Sequence, residues 1–533
     1  MTVSIDSAPI AAALAKAYDR LTTSRFADAL WSRRLDVWSP DAAVQKLIGN
    51  RLGWLTAMDA VSPHVGRLRA CAEAVARDGI TDVVLLGMGG SSLAPEVLRS
   101  IVGVAPGFPR FHVLDSVDPD AVRAALARAA TSVFVLASKS GGTIEPNVMA
   151  AEAEHRLRAA GIADVGSRFI AITDEGTALH ARATEQGYRE TFVNPGDIGG
   201  RYSVLSFFGM VPAALMGIDL DKLLASAREM AAACRAEDPT VNPGLALGAA
   251  MGAAARIGRD KLTLRMPEQL WPFGLWVEQL VAESTGKQGE GVVPIAGDDP
   301  SVPPGDDRLV VSVTTDGDLL SLGAEFFRWE VATAAAGFLL DINPFDEPNV
   351  QTAKDATRVL LETYAAQRRL PTPEPHAAMN GSRLTLSDAA QQALGTASPL
   401  SFLQTLKPGD YFALLAYLPS EHADYAPVLR GACTAVSSRH QCASMLGYGP
   451  RYLHSTGQLH KGGPNTGVFV IVTAPAAEDL PIPGAPFSFG VLELAQALGD
   501  FTSLDRLGRR ALHLALPTRD VAVLESLLAQ LVS

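Results

Sequence analysis

Apolar residues recur along this chain in two rhythms. From residue 1 to about 75 they follow the three-and-four spacing of amphipathic helices, Ala- and Leu-rich, with no strand signal. Beyond that point short β-type runs alternate with Ala- and Arg-rich helical segments. Thr81–Gly87, Arg110–Asp115, Ser132–Ser138, Arg168–Thr173 and Glu190–Asn194 predict a five-stranded parallel sheet with helices on both faces. A second series follows the Pro243-Gly244 turn, with strands expected at Lys261–Met266, Leu309–Thr314, Gly337–Ile342, Tyr411–Leu418 and Val468–Thr473. The two series read as two copies of one architecture without a residue-by-residue repeat. Arg369–Pro408, richer in Pro, Ser and Thr, predicts a surface excursion with short helices, and the Leu- and Ala-rich Phe487–Ser533 predicts packed helices. The expected organisation is α/β: a helical segment at 1–75, parallel-sheet domains at 76–240 and 241–480, and a helical segment at 481–533.

Composition narrows the class. At 533 residues the chain exceeds one ordinary core, and 48% hydrophobic with 19% charged residues reads as compact and soluble. The longest uncharged stretch, Ser203 to Ile218, contains Pro212 and falls short of the roughly 20 apolar residues that span a bilayer. The N-terminus has no basic region before its Ala-rich segment and does not read as a secretory signal. A net charge of -12 argues against a nucleic-acid surface. The four cysteines, at 71, 234, 433 and 442, suit a reducing cytoplasm. Cys433, His440 and Cys442 lie close together, but their spacing matches no common zinc pattern and reads as helix packing.

Two loops carry the first chemical signal. Gly87-Met88-Gly89-Gly90-Ser91-Ser92 and Ser138-Lys139-Ser140-Gly141-Gly142-Thr143 each follow a β-type run and open a helix. Glycines let backbone approach a ligand, and hydroxyls with helix N-terminal amides donate to phosphate oxygens. Gly-Gly-Ser is also a common strand–helix turn, and Ser or Thr a common N-cap. Two such loops in adjacent strand–helix units favour a ligand, since neighbouring strand ends open on one sheet edge. Neither loop matches the dinucleotide or P-loop fingerprints, so a sugar phosphate fits better than a nucleotide.

Read with four further segments, these loops resemble the glucose-6-phosphate isomerase family of the sugar-isomerase (SIS) fold group. Gly199-Gly200-Arg201-Tyr202-Ser203-Val204-Leu205-Ser206 and Gln279-Leu280-Val281-Ala282-Glu283-Ser284-Thr285-Gly286-Lys287 are similar to two of its motifs. So are Asn343-Pro344-Phe345-Asp346-Glu347-Pro348-Asn349-Val350 with downstream Lys354, and Leu453-His454-Ser455 with Gly457-Gln458. The resemblance implies two SIS-type domains. Three features depart from the family's usual pattern. His454 follows Lys354 in the chain, an order similar to the isomerase half of transaldolase–phosphoglucose isomerase fusions. Glu347 stands where glutamine is usual, and the second loop keeps hydroxyls at Ser140 and Thr143 in a less common form.

The resemblance implies a reversible aldose–ketose isomerisation of glucose 6-phosphate and fructose 6-phosphate through a cis-enediol. A carboxylate suits the base, which must lift a proton and return it to the adjacent carbon. Glu283 is the candidate, in an apolar segment that would raise its pKa; spacing alone would also allow an ion pair with Lys287. Histidine handles ring opening near neutral pH; His454 is the candidate, with Lys354 as donor toward the ring oxygen and Glu145 orienting the imidazole. Arg201 would stabilise the enediolate, or else pair with Asp197. Gly90, Ser91, Ser138, Lys139, Ser140, Thr143 and Gln279 are expected around the phosphate, and His460 and Lys461 are expected on the surface. The chemistry requires no cofactor and no metal. The expected partner is a hexose 6-phosphate, with no nucleic acid or membrane. The family implies a homodimer, although the shifted order allows His454 to serve its own chain. Two alternatives remain at this point: a non-catalytic sugar-phosphate-binding regulator, and an isomerase that also takes mannose 6-phosphate.

Overall fold

The computed structural model describes residues 1–299, 302–420 and 422–533. Among these described residues fifteen strands follow in chain order. The N-terminal strand β1 is Thr2–Ile5. Next come β2 (Asp82–Leu86), β3 (Arg110–Leu114), β4 (Ser132–Ala137), β5 (Phe169–Asp174) and β6 (Glu190–Asn194). Three more follow: β7 (Lys261–Arg265), β8 (Val293–Ile295) and β9 (Arg308–Thr314). The last six are β10 (Ala377–Met379), β11 (Ser382–Leu386), β12 (Tyr411–Tyr417), β13 (Ala443–Tyr448), β14 (Gly467–Thr473) and β15 (Arg510–Ala515).

The first parallel sheet has the order β3-β2-β4-β5-β6 and matches the expected series. Strands β2 and β4 are buried at every position, which explains their unbroken apolar runs. Connections from β2 lead outward to β3 and back across to β4, so the strand order reverses between β2 and β4. Ligands of open α/β sheets bind at such a reversal, outside the carboxyl ends of the strands.

The second half departs from its expected strand series. Strands β7, β8 and β9 join antiparallel β1 in a separate four-stranded sheet, order β1-β9-β7-β8. Gly337–Ile342 is no strand: helix Leu322–Leu339 ends there. That helix is buried on nearly every side, so its apolar run lacks the polar face that marks a helix in sequence. The second large sheet is β10-β11-β15-β14-β12-β13, in which β12, β13, β14 and β15 are parallel. It draws β10 and β11 from the stretch expected as a surface excursion, and β15 from the C-terminal segment expected as helices. The expected boundary at 480 therefore passes between neighbouring strands β14 and β15 of one sheet.

Candidate active site

Helix N-termini at the first sheet's reversal are chemically unfinished. Asp118, Thr177 and Asp219 cap their helices by accepting backbone N–H bonds through their side chains. Ser92, before helix Leu93–Ile101, and Thr143, before helix Ile144–Ala159, make no such bond. These are the helices that follow β2 and β4, and uncapped amides with the helix dipole behind them suit an anion. Thr143 Oγ1 instead accepts from Ser138 Oγ at 3.3 Å, while Ser140 is exposed and its Oγ accepts from Gly142 N at 3.3 Å. Lys139 is engaged elsewhere, its ammonium bound to Asp174 and, at 2.9 Å, to the Gly196 carbonyl.

Two glycines of the first loop are dictated by close approach. A Cβ on Gly90 would lie 2.0 Å from the Gly200 carbonyl oxygen, so loop 87–92 rests directly on the backbone that carries Arg201. Gly89 has φ +54°, and its Cβ would lie 2.6 Å from the His454 carbonyl oxygen and 2.8 Å from Gln279 Nε2. Ser91 follows, half-buried. Segments far apart in sequence thus meet around one loop.

Gln279 stands between the two expected proton-transfer groups. On helix Trp271–Thr285, its Nε2 donates to the His454 carbonyl at 2.7 Å and to Glu283 Oε2, one turn on, at 3.2 Å. Both partners are acceptors, which fixes the amide orientation. Its Oε1 is buried without a hydrogen-bond partner. Gln279 therefore offers a free acceptor, suited to a ligand hydroxyl rather than to the phosphate for which sequence suggested it.

Arg201 is buried at the junction of three motifs. Its Nε donates to Ser284 Oγ at 2.8 Å, and Nη2 to the Pro344 and Asp346 carbonyls, each at 2.9 Å. Nη1 lies 3.3 Å from Glu283 Oε1 and 3.0 Å from Glu347 Oε2. Burial pushes the Glu283 carboxyl above its ordinary value; Arg201 opposes this and the Glu347 charge adds to it. For Glu347 burial acts in the same sense, but Arg201 wins and the carboxyl is lowered. The alternative sequence pairings are not formed. Asp197 lies 3.5 Å from Arg33, and Lys287 donates to Asp346 Oδ1 at 2.7 Å. Burial and nearby Arg201 lower Lys287 to about 8.

His454 closes the other side, at the end of the turn Arg451–His454 that follows β13. Its Nε2 is 2.8 Å from Oε1 of Glu145, in the first turn of helix Ile144–Ala159. Burial alone would raise the Glu145 carboxyl, but the His454 ring holds it below its ordinary value, helped by the Lys354 charge. Lys354 itself is exposed, near the start of helix Val350–Gln367. Gln458 clamps these segments, its Oε1 accepting from Asn349 N and its Nε2 donating to the Asn349 side chain and the Gly286 carbonyl, all at 2.8 Å.

The structure thus gathers loop 87–92, Arg201, Gln279, Glu283, His454 and Glu145 within one chain, with Ser138 and Thr143 immediately before Glu145. His460 and Lys461, expected on the surface, are buried; Lys461 Nζ lies 2.5 Å from Asp500 Oδ1. Sequence reading missed Gln496, whose Nε2 donates to Glu145 Oε1 at 2.7 Å. A lone glutamine in a Leu- and Ala-rich helix gives no signal. It also missed Tyr202, whose hydroxyl lies 3.2 Å from Ser284 Oγ. Cys433 and Cys442 are buried, and among the described residues no group of three or more His, Cys, Asp or Glu side chains is arranged to hold a metal ion. No helix among the described residues is long and apolar enough to cross a membrane.

Comparisons with known proteins show what the chain is similar to. Residues 60–293 match the family model described as phosphoglucose isomerase. Glucose-6-phosphate isomerase from Parasynechococcus marenigrum is 37% identical over 215 residues, 39% of each chain. The same-named protein from Prochlorococcus marinus (strain MIT 9211) is 28% identical over 410 residues, 75% of this chain and 69% of that one. A crystal structure of a glucose-6-phosphate isomerase from Chlamydia trachomatis superposes with a TM-score of 0.54 at 19% identity, covering 66% of this chain and 86% of that one. This last likeness shows the fold. The chain spans about two fifths of the length of the curated relatives it first matches. The resemblance carried by the motifs is thereby shown for residues 60–293, while Lys354 and His454 lie beyond that segment.

Proposed function

We propose that this protein is an aldose–ketose isomerase that interconverts glucose 6-phosphate and fructose 6-phosphate. One observation carries the reading: Gln279 bonds both to the Glu283 carboxylate and to the His454 backbone, beside the uncapped helix N-termini at the β2/β4 reversal.

In this reading the phosphate sits against Gly90, Ser91, Ser138, Ser140 and Thr143, where N-terminal amides and hydroxyls meet its oxygens. The His454 imidazole, its Nε2–H directed to Glu145, keeps Nδ1 to exchange a proton with the sugar during ring opening. Lys354 supplies positive charge on the same side. Glu283 then takes the proton from C2 and returns it to C1, and its raised pKa brings a carboxylate nearer the operating pH. The Arg201 guanidinium stabilises charge on the enediolate oxygens. The free Gln279 Oε1 accepts from a sugar hydroxyl, answering a buried acceptor that would otherwise cost about 1–3 kcal/mol.

His454 meets Glu145 of its own chain, so we read the site as complete without a second subunit, whether or not the protein dimerises. The decisive assay couples purified protein with fructose 6-phosphate to detection of glucose 6-phosphate, then repeats it with mannose 6-phosphate as substrate. Turnover of the first supports the proposal; absence of turnover with either hexose phosphate refutes it.

A further inference from the structure

The second large sheet repeats the strand order of the first. Counting its parallel strands from β12, the order β13-β12-β14-β15 corresponds to β3-β2-β4-β5, so its reversal falls between β12 and β14. A cavity of about 510 Å³ opens there, against Tyr417 at the end of β12, Thr473 at the end of β14 and Leu516 just past β15. No residue of the phosphate loops lines it.

Glu493 and Arg383 are its two charged extremes. Glu493 is only 5% exposed, and its Oε1 has no hydrogen-bond partner. Its Oε2 lies 3.6 Å from an Arg519 guanidinium already paired with Asp118 and Asp120. Burial pushes the Glu493 carboxyl well up, and Asp118, Asp120 and Asp479 push the same way against Arg519. At the rim, Arg383 is exposed and makes no side-chain hydrogen bond or ion pair among the described residues. Asp479 and His513, which also line it, are matched. Asp479 accepts from Leu480 N at 2.7 Å, from Gly490 N at 2.8 Å and from Ser488 Oγ, and His513 Nε2 lies 2.9 Å from Thr473 Oγ1. His513 stays neutral, lowered by burial to about 4.

We infer that this cavity is a second ligand site, taking a small zwitterion whose primary ammonium seats on Glu493 and whose carboxylate reaches Arg383. Arg519 reaches only Oε2, so Oε1 is left for a donor, and the surrounding acids favour one that carries positive charge. An anion alone would meet Asp479 and Glu493; a cation alone would leave Arg383 unmatched.

The site is wired to the His454 side of the candidate active site, a coupling that rests on the isomerase reading above. Helix Phe489–Arg506 presents Glu493, Gln496 and Asp500 at i, i+3 and i+7, hence on one face. Gln496 holds Glu145, and Asp500 accepts from the Tyr452 hydroxyl at 2.7 Å, two residues before His454. Tyr452 in turn meets Tyr417 of the cavity wall, hydroxyl to hydroxyl at 3.0 Å. A ligand drawing Glu493 outward acts on both supports of the imidazole.

Calorimetric titration of the full chain with 4-aminobutanoate and 6-aminohexanoate, with butylamine and butanoate as single-charge controls, tests the site. The expected result is saturable binding of a zwitterion at least tenfold tighter than either control, weakened at least tenfold in Arg383→Ala and in Glu493→Gln. Arg383 is exposed, so its variant keeps the test valid should the buried substitution impair folding. No saturable binding by the wild type, or binding unchanged in both variants, overturns the site. With the site filled, KM for fructose 6-phosphate should move at least twofold in the wild type and not in Arg383→Ala; an unmoved KM with binding intact overturns the coupling. Heat of binding does not depend on turnover, so failure of the isomerase reading leaves the binding test standing.

Discussion

At the reversal of the first sheet, between β2 and β4, glycine-rich loops leave two helix N-termini uncapped and bring Arg201, Gln279 and His454 onto the same backbone. At the reversal of the second, between β12 and β14, only the helix after β14 is capped by a side chain, Ser488 accepting from Val491 N, and the space is a cavity with a buried acid and a rim arginine. Strand order is shared; loop chemistry is not. Sheet topology therefore sets where a crevice opens, while the residues just past the strand ends set what it receives.

Substitutions at the two crevices should separate these effects. The largest loss is expected for Glu283→Gln, a fall in kcat of about 10²–10⁴-fold with sugar-phosphate binding retained, read by steady-state kinetics and direct titration. Gln496→Leu removes a donor to Glu145 from a distance, and is expected to lower kcat by up to about 10²-fold with KM little changed. Gly90→Ala should cost stability and phosphate affinity together, because the added methyl meets the Gly200 carbonyl. Overpacking of this kind is worth about 1–3 kcal/mol, measurable as a lower thermal midpoint alongside a higher KM.

The smallest effect expected is on the pH profile. Glu347 carries negative charge that raises Glu283 and competes for Arg201. Glu347→Gln removes the charge, so the Glu283 pKa falls. A general base works only when ionised, so the acid limb of the kcat profile moves to lower pH while the plateau stays nearly level. A shift to higher pH would contradict the assigned electrostatics.

Legibility in the sequence followed the same division between the sheets. The first sheet was readable because each of its strands is separated from the next by a helix. The second was not. Leu322–Leu339 hides its helical character by being buried all round, β1 is a four-residue edge strand, and β15 lies between two Leu- and Ala-rich helices. Candidate residues in compact motifs, such as Glu283 and His454, are legible in the sequence; those joined to them only by tertiary packing are not. Gln496 is legible only once the chain has folded, since 351 positions separate it from Glu145. The burial of Lys461 follows from Asp500, which supplies the buried counter-charge a lysine there requires.

Proton transfer at carbon by Glu283 is the claim most directly open to measurement. Fructose 6-phosphate equilibrated with the protein in ²H₂O should give glucose 6-phosphate bearing carbon-bound deuterium, and the Glu283→Gln protein, still binding the sugar phosphate, should incorporate none beyond the uncatalysed rate. Undiminished incorporation by the variant would contradict the account.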